Sequence, residues 1–319
     1  MSEINPLLED FDDSIPGITV TLPTRGIFYD EGMFEEGSDP DELEVRPFSM
    51  WEEVHHRNPF AIMSGKASRQ MVNTVAPSIT RPDDLTVYDM EMLMLGGRMA
   101  SYGNDMEITV ECSNPELLAL DDSGFVIKDE EKAKDVIKKR CQHKNKIKVD
   151  LKNAMQSYHI FDDKDLEEWQ VELPNGQLVH LRPLMYKDVL ETLKIGVEQQ
   201  RLTDAAAKIE QLTEEQQEEI SDATLKNFMN IKIVTLVSSI WYVETKDKSR
   251  KIRDREMIKE WIESDKFPNS YVEKIYNKVQ DLMERYSISS NLGFQCENCG
   301  YENTNISVVQ DPSRFFTES

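Results

Sequence analysis

Leu173-Pro174-Asn175-Gly176, followed four residues later by Leu181-Arg182-Pro183, repeats a pattern already present near the start of the chain. There it reads Leu22-Pro23-Thr24-Arg25-Gly26, then Val45-Arg46-Pro47. Each copy leads into a helix signal, Met50-Trp51-Glu52-Glu53 in the first and Met185-Tyr186-Lys187-Asp188 in the second. Each then runs on to cysteine, Cys112 in the first and the pair Cys296 and Cys299 in the second. The endings also correspond, Cys141-Gln-His-Lys-Asn against Cys299-Gly-Tyr-Glu-Asn. A self-similar order of this kind is read before any local signal, because it decides the architecture. The expected fold is α+β and helix-dominated. Two pseudo-repeated halves, each a β-hairpin plus helices, close on cysteine-bearing, zinc-ribbon-like hairpins.

Around this repeat the expected organisation is a mobile acidic tail over 1–15, a first half over 16–160 and a second half over 161–290. A closing hairpin and tail cover 291–319. Residues 113–140 insert into the first cysteine hairpin. Ile18, Val20 and Leu22 alternate with polar residues, as a half-buried strand does, and Leu43, Val45 and Pro47 resume the alternation. Ser49 to Glu52 reads as a capping box and Thr86 to Asp89 as another helix start. Gly96-Gly97 allows close backbone approach inside the helix expected from Val87 to Ser101, and Gly103 should stop it. Asp162–Glu168 reads as an acidic linker. Asn175-Gly176 predicts a type I′ turn in a hairpin over 169–182. Helical spacing follows from 187 to about 243, then over Glu256–Ile262 and Ser270–Tyr286. A plain helical bundle is expected over 187–243 in preference to a projecting arm.

The chain has 319 residues and a formal net charge of −23. Such a surface repels nucleic-acid phosphates and anionic lipid. The exception is a lysine-rich stretch over 128–152, read as a solvated surface. The N-terminus lacks the basic start and apolar core of a secretory signal, and the apolar run Ile233–Val243 is too short to span a bilayer. A cytosolic origin follows, in which Cys-x-x-Cys points to metal or redox chemistry before disulfides.

Phe294-Gln-Cys296-Glu-Asn-Cys299-Gly300 has the form of a zinc knuckle, with glycine relieving the turn that brings two sulfurs to one metal. Zinc needs four ligands, and the repeat nominates Cys112 and Cys141 for the other two, with His143 in reserve. Two readings stand: one zinc held by Cys112, Cys141, Cys296 and Cys299, or two small core cysteines beside a metal-free knuckle. A thioredoxin-like role does not fit, since the motif precedes a strand near the chain's end. His55-His56 is a weak metal signal, because adjacent helical residues diverge. No phosphate loop, dinucleotide motif or nucleophile elbow occurs, so no enzyme activity and no small-molecule substrate are expected. Phe315 and Phe316 near the end suit burial, either in the protein's own core or against a partner.

The order of these motifs resembles the baseplate hub subunit and hub-assembly family of T4-type contractile-tailed phages. The resemblance rests on Leu-Pro-x-x-Gly-x-x-Tyr, Val-Arg-Pro, Leu85-Thr-Val-Tyr-Asp89, Arg98 with Ser101-Tyr-Gly103, and the ending Phe-x-Cys-x-x-Cys-Gly…Asp-Pro-Ser-x-Phe-Phe. It covers about residues 17 to 316, and the split first knuckle departs from the pattern. The resemblance implies a non-enzymatic tail-morphogenesis protein. Its partners would be other hub or tail proteins, with neither nucleic acid nor membrane among them. It would work in the host cytoplasm during assembly, with the virion tail baseplate as a further location. The competing function is a zinc-ribbon nucleic-acid-binding or transcription regulatory protein, kept open by the lysine-rich stretch.

Overall fold

The computed structural model describes residues 17–304 apart from 52, 53, 55–57, 122, 128, 134, 135, 137, 208–212 and 287–292. The first half opens with strands β1 (Ile18–Val20) and β2 (Leu43–Val45). Two short helices follow, α1 (Pro59–Met63) and α2 (Lys66–Val75), and then the long α3 (Val87–Tyr102). Next come β3 (Asp105–Glu111), β4 (Leu117–Ala119), α4 (Glu130–Ala133), β5 (Lys138–Arg140) and β6 (Lys144–Asp150). Helices α5 (Leu151–Gln156) and α6 (Asp163–Glu168) lead into the second hairpin, β7 (Gln170–Glu172) and β8 (Leu178–Leu181). Then follow α7 (Tyr186–Ala207), α8 (Glu214–Ser239), β9 (Ile240–Glu244) and β10 (Lys251–Ile252). The chain continues through α9 (Arg255–Glu263) and α10 (Asn269–Tyr286) to the final pair β11 (Phe294–Gln295) and β12 (Glu302–Asn303). The sheets are small and antiparallel. The largest, β10-β9-β8-β7, has four strands, and β1–β2, β3–β6, β4–β5 and β11–β12 are pairs.

The two opening hairpins share a register. Ile18, Thr19 and Val20 face Val45, Glu44 and Leu43, while Gln170 and Val171 face His180 and Val179. Counting back from each Leu-Pro on the first strand and from each Arg-Pro on the second, Thr19–Glu44 matches Gln170–His180 and Val20–Leu43 matches Val171–Val179. The Leu181 N–H donates to Trp169 O at 2.7 Å, where Ile18 and Val45 pair in the first copy. Both Arg-Pro sequences meet the end of a helix. The Arg46 N–H donates to Val75 O at 2.8 Å and the Arg182 N–H to Ser239 O at 2.7 Å. Those acceptors are the last residues of α2 and α8.

Apart from the cysteine cluster, the described residues form two apolar cores. One gathers Val20, Leu43, Val45, Met71, Leu93, Leu95, Met106 and Val149 from β1, β2, α2, α3, β3 and β6. The other centres on Phe161, Trp169 and Tyr286, with Phe28 and Tyr88 contributed by the first half. Burying each such large side chain stabilises by roughly 1.5–3 kcal/mol, so this crossing ties the halves together. Phe28 and Phe161 meet edge-on at 5.4 Å, and the Phe161 N–H donates to Pro23 O at 2.8 Å.

Several expectations are corrected. Asp162–Glu168 is not a linker but helix α6, because the Asp162 side chain and the N3 residue Asp165 form a capping box. The Asn175-Gly176 hairpin does not close with a type I′ turn. The Gly176 N–H donates to Leu173 O at 2.9 Å, putting Pro174 and Asn175 at the centre, and only Gly176 takes positive φ. Proline's fixed φ suits the first central position and displaces the expected turn by one residue. The apolar run to Val243 divides, with α8 ending at Ser239 and β9 continuing into the sheet. Lastly, α7 and α8 form a projecting helical arm, not a bundle. From 191 to 235 none of the described residues is buried, and the second core is joined by Leu236, Val237 and Ile240 at the base of the arm. The insertion 113–140 contains the β4–β5 hairpin as well as a short helix.

Candidate metal centre

Strand β3 delivers Cys112 one residue beyond its end, and Cys141 precedes β6 by three residues. β11 delivers Cys296, and Cys299 precedes β12 by the same spacing. The Cys296 turn closes through the Gly300 N–H to Cys296 O at 2.8 Å, with Gly300 at φ 72°. That left-handed conformation suits glycine and explains why it follows the knuckle.

All four sulfurs converge, each within 4.8 Å of every other. Cys112 and Cys299 Sγ lie 3.6 Å apart, and Cys141 and Cys296 Sγ 3.9 Å apart. Four sulfurs about 2.3 Å from one tetrahedral zinc would be about 3.8 Å from each other. The thiol set therefore fits such an ion, and the separations exceed the roughly 2 Å of a disulfide. Cys112, Cys141 and Cys296 are buried, and Leu118 and Phe294 pack over the cluster. His143 is not in this ligand set. Its carbonyl accepts the Cys112 N–H at 2.9 Å and its ring packs on Phe125.

The environment treats the sulfurs unequally. Burial and the neighbouring thiols Cys299 and Cys296 push Cys141 up to about 12, against the pull of a backbone bond at His143. Burial also opposes ionisation of Cys296, but the N–H groups of Cys299 and Asn298 and the Asn145 amide hold it down at about 7. Burial raises Cys112.

Asparagines surround the sulfurs, and sequence reasoning missed them. Nδ2 of Asn114 lies 3.6 Å from Cys299 Sγ, and Nδ2 of Asn145 lies 3.6 Å from Cys296 Sγ. Nδ2 of Asn298 lies 3.5 Å from Cys141 Sγ, and Nδ2 of Asn303 lies 3.7 Å from Cys112 Sγ. The signal was present as spacing: Cys-x-Asn at 112 and 296, Cys-x-x-x-Asn at 141 and 299.

Phe315 and Phe316, like His55, His56 and the acidic tail 1–15, lie outside the described residues. Within the lysine-rich stretch, Lys138, Lys139 and Arg140 on β5 are exposed, and Lys146 pairs with Glu107 at 2.9 Å.

The family model described as T4 bacteriophage base plate protein matches residues 18–317. The chain belongs to that family. It is a structural protein of the phage baseplate, and membership implies contacts with other phage structural proteins. No curated protein and no solved structure matches the chain. Among the described residues no helix is long and apolar enough to cross a membrane.

Proposed function

We propose that this baseplate protein works at the central hub, as a hub subunit or as a factor that builds the hub. It acts through protein contacts and without catalysis, assembling in the host cytoplasm, and its four cysteines hold one structural zinc. The observation carrying the reading is the family match over nearly the whole chain, joined to a thiol cluster of zinc dimensions. With four protein sulfurs the ion would have no open position, so it would supply a cross-link between the halves. The net charge of −23 speaks against the nucleic-acid alternative.

Partner contact is assigned to the terminal Phe315 and Phe316 and to the arm. Leu225, Phe228 and Met229 share one face of α8 and are exposed at 62%, 63% and 47%. Buried aromatic anchors carry much of the energy of typical interfaces, which favours these residues over the charged surface. Silencing the gene during infection should yield baseplates that lack the hub while peripheral parts still assemble. Complete baseplates would overturn the assignment. Mass spectrometry of purified virions against infected lysate then separates subunit from factor.

A further inference from the structure

The two cysteine hairpins agree in detail. Val110 faces Asn145 and Glu111 faces Lys144; Phe294 faces Asn303 and Gln295 faces Glu302. Counted from the cysteines, these are the same pairs. The Cys112 N–H donates to His143 O, and the Cys296 N–H to Tyr301 O, both at 2.9 Å. Nδ2 of Asn145 also donates to His143 O at 3.0 Å, and Nδ2 of Asn303 to Tyr301 O at 3.1 Å.

Between the hairpins the bonds are exchanged. Asn303 Oδ1 accepts the Ser113 N–H at 2.7 Å while its Nδ2 reaches the neighbouring Cys112 sulfur. Asn145 Oδ1 accepts the Glu297 N–H at 2.9 Å while its Nδ2 reaches the neighbouring Cys296 sulfur. Each of these two amides thus holds the opposite hairpin at two points, a cysteine sulfur and the N–H of the residue after it. Asn114 and Asn298 repeat the amide-to-sulfur part of this exchange, for Cys299 and Cys141. Exchange in both directions with equal spacing is the signature of a two-fold axis.

We propose that the two cysteine hairpins are paired members of a duplicated half, and that Asn114, Asn145, Asn298 and Asn303 are positioning residues that assemble the metal centre from both halves at once. The inference rests on the zinc reading above and extends it. Four thiolates around a divalent ion leave a net charge of −2, which is costly to bury without donors. Each amide supplies one N–H to one sulfur, and each comes from the half that does not own that sulfur. Neither hairpin completes its own donors, so the centre forms only when the halves meet. The equal registers of β1–β2 and β7–β8 extend the duplication beyond the cysteines.

The test loads the full chain with Co2+ and records its sulfur-to-cobalt charge-transfer bands. Wild type should bind one Co2+ with a tetrahedral tetrathiolate spectrum. Asn145→Asp and Asn303→Asp should each weaken Co2+ binding, by about 10- to 100-fold as typical for such outer partners, and shift the bands in the same direction. Effects differing more than tenfold within this pair, or unmoved bands in both, would overturn the inference. A measurement needing no variant uses 113Cd-loaded wild type. Its nuclear magnetic resonance spectrum should show scalar coupling from the side-chain amide protons of the four asparagines to the metal, and absence of such coupling would overturn the inference. A wild-type chain that binds neither ion would overturn the zinc reading itself, and the inference with it.

Discussion

Glu91, on α3, shows how burial sets chemistry at the residue scale. Burial pushes its carboxyl up to about 7 from an ordinary 4.5, against the pull of the Tyr158 hydroxyl, which donates to it at 3.1 Å. The folded state therefore keeps a proton that the unfolded chain has lost between those two values. Stability from this group is complete below about pH 4.5, falls as pH rises to about 7, and is level above that. Glu91→Gln should remove this dependence and raise stability at pH 8 by on the order of 2 kcal/mol. Chemical denaturation at pH 5 and pH 8 checks it; equal gains at both would show that Glu91 is ordinary. Its neighbour Asp89 is held differently. The Thr24 N–H donates to it at 3.0 Å, and the Thr24 and Tyr29 hydroxyls add two further bonds that fasten the first turn to α3.

At the scale of elements, α3 is fitted to its neighbours by two glycines. A Cβ on Gly97 would lie 2.6 Å from Phe48 Cζ, and one on Gly96 3.1 Å from Val20 Cγ1. Gly97→Ala gains helix propensity of about 1 kcal/mol, yet should be net destabilising because overpacking costs roughly 1–3 kcal/mol. A raised thermal midpoint would contradict the close fit. The glycine pair was legible as a point of close approach, as were the Thr86 cap and the Gly103 stop, because these depend on residues adjacent in sequence. The choice between arm and bundle over 187–243 was not legible. The arm's helical spacing matches that of a packed bundle, and only tertiary placement leaves Leu225 and Phe228 uncovered. Helix α6 was missed because acidic residues that read as a linker also make a capping box. Leu225→Ala with Phe228→Ala should leave the thermal midpoint nearly unchanged and reduce incorporation into baseplates. A midpoint lowered by many degrees would place the pair in the protein's own core.

Across the whole molecule, the matched order of motifs in the sequence points to sites that lie far apart along the chain. Cys112 and Cys299 are 187 positions apart, and only the matched order of the copies nominated them for one centre. The asparagines were written at the same spacing but carry no ligand signal alone, since an amide between strands is ordinary until its sulfur is known. If one zinc joins the halves, its binding contributes directly to folding, and Cys296→Ser should cost several kcal/mol. In the function proposed above, one metal closes this structure. Elemental analysis of chain purified without chelator, paired with a thermal melt before and after EDTA, tests it most directly. One zinc per chain and a clear fall in midpoint on its removal are expected. Metal-free protein with an unchanged midpoint would contradict it.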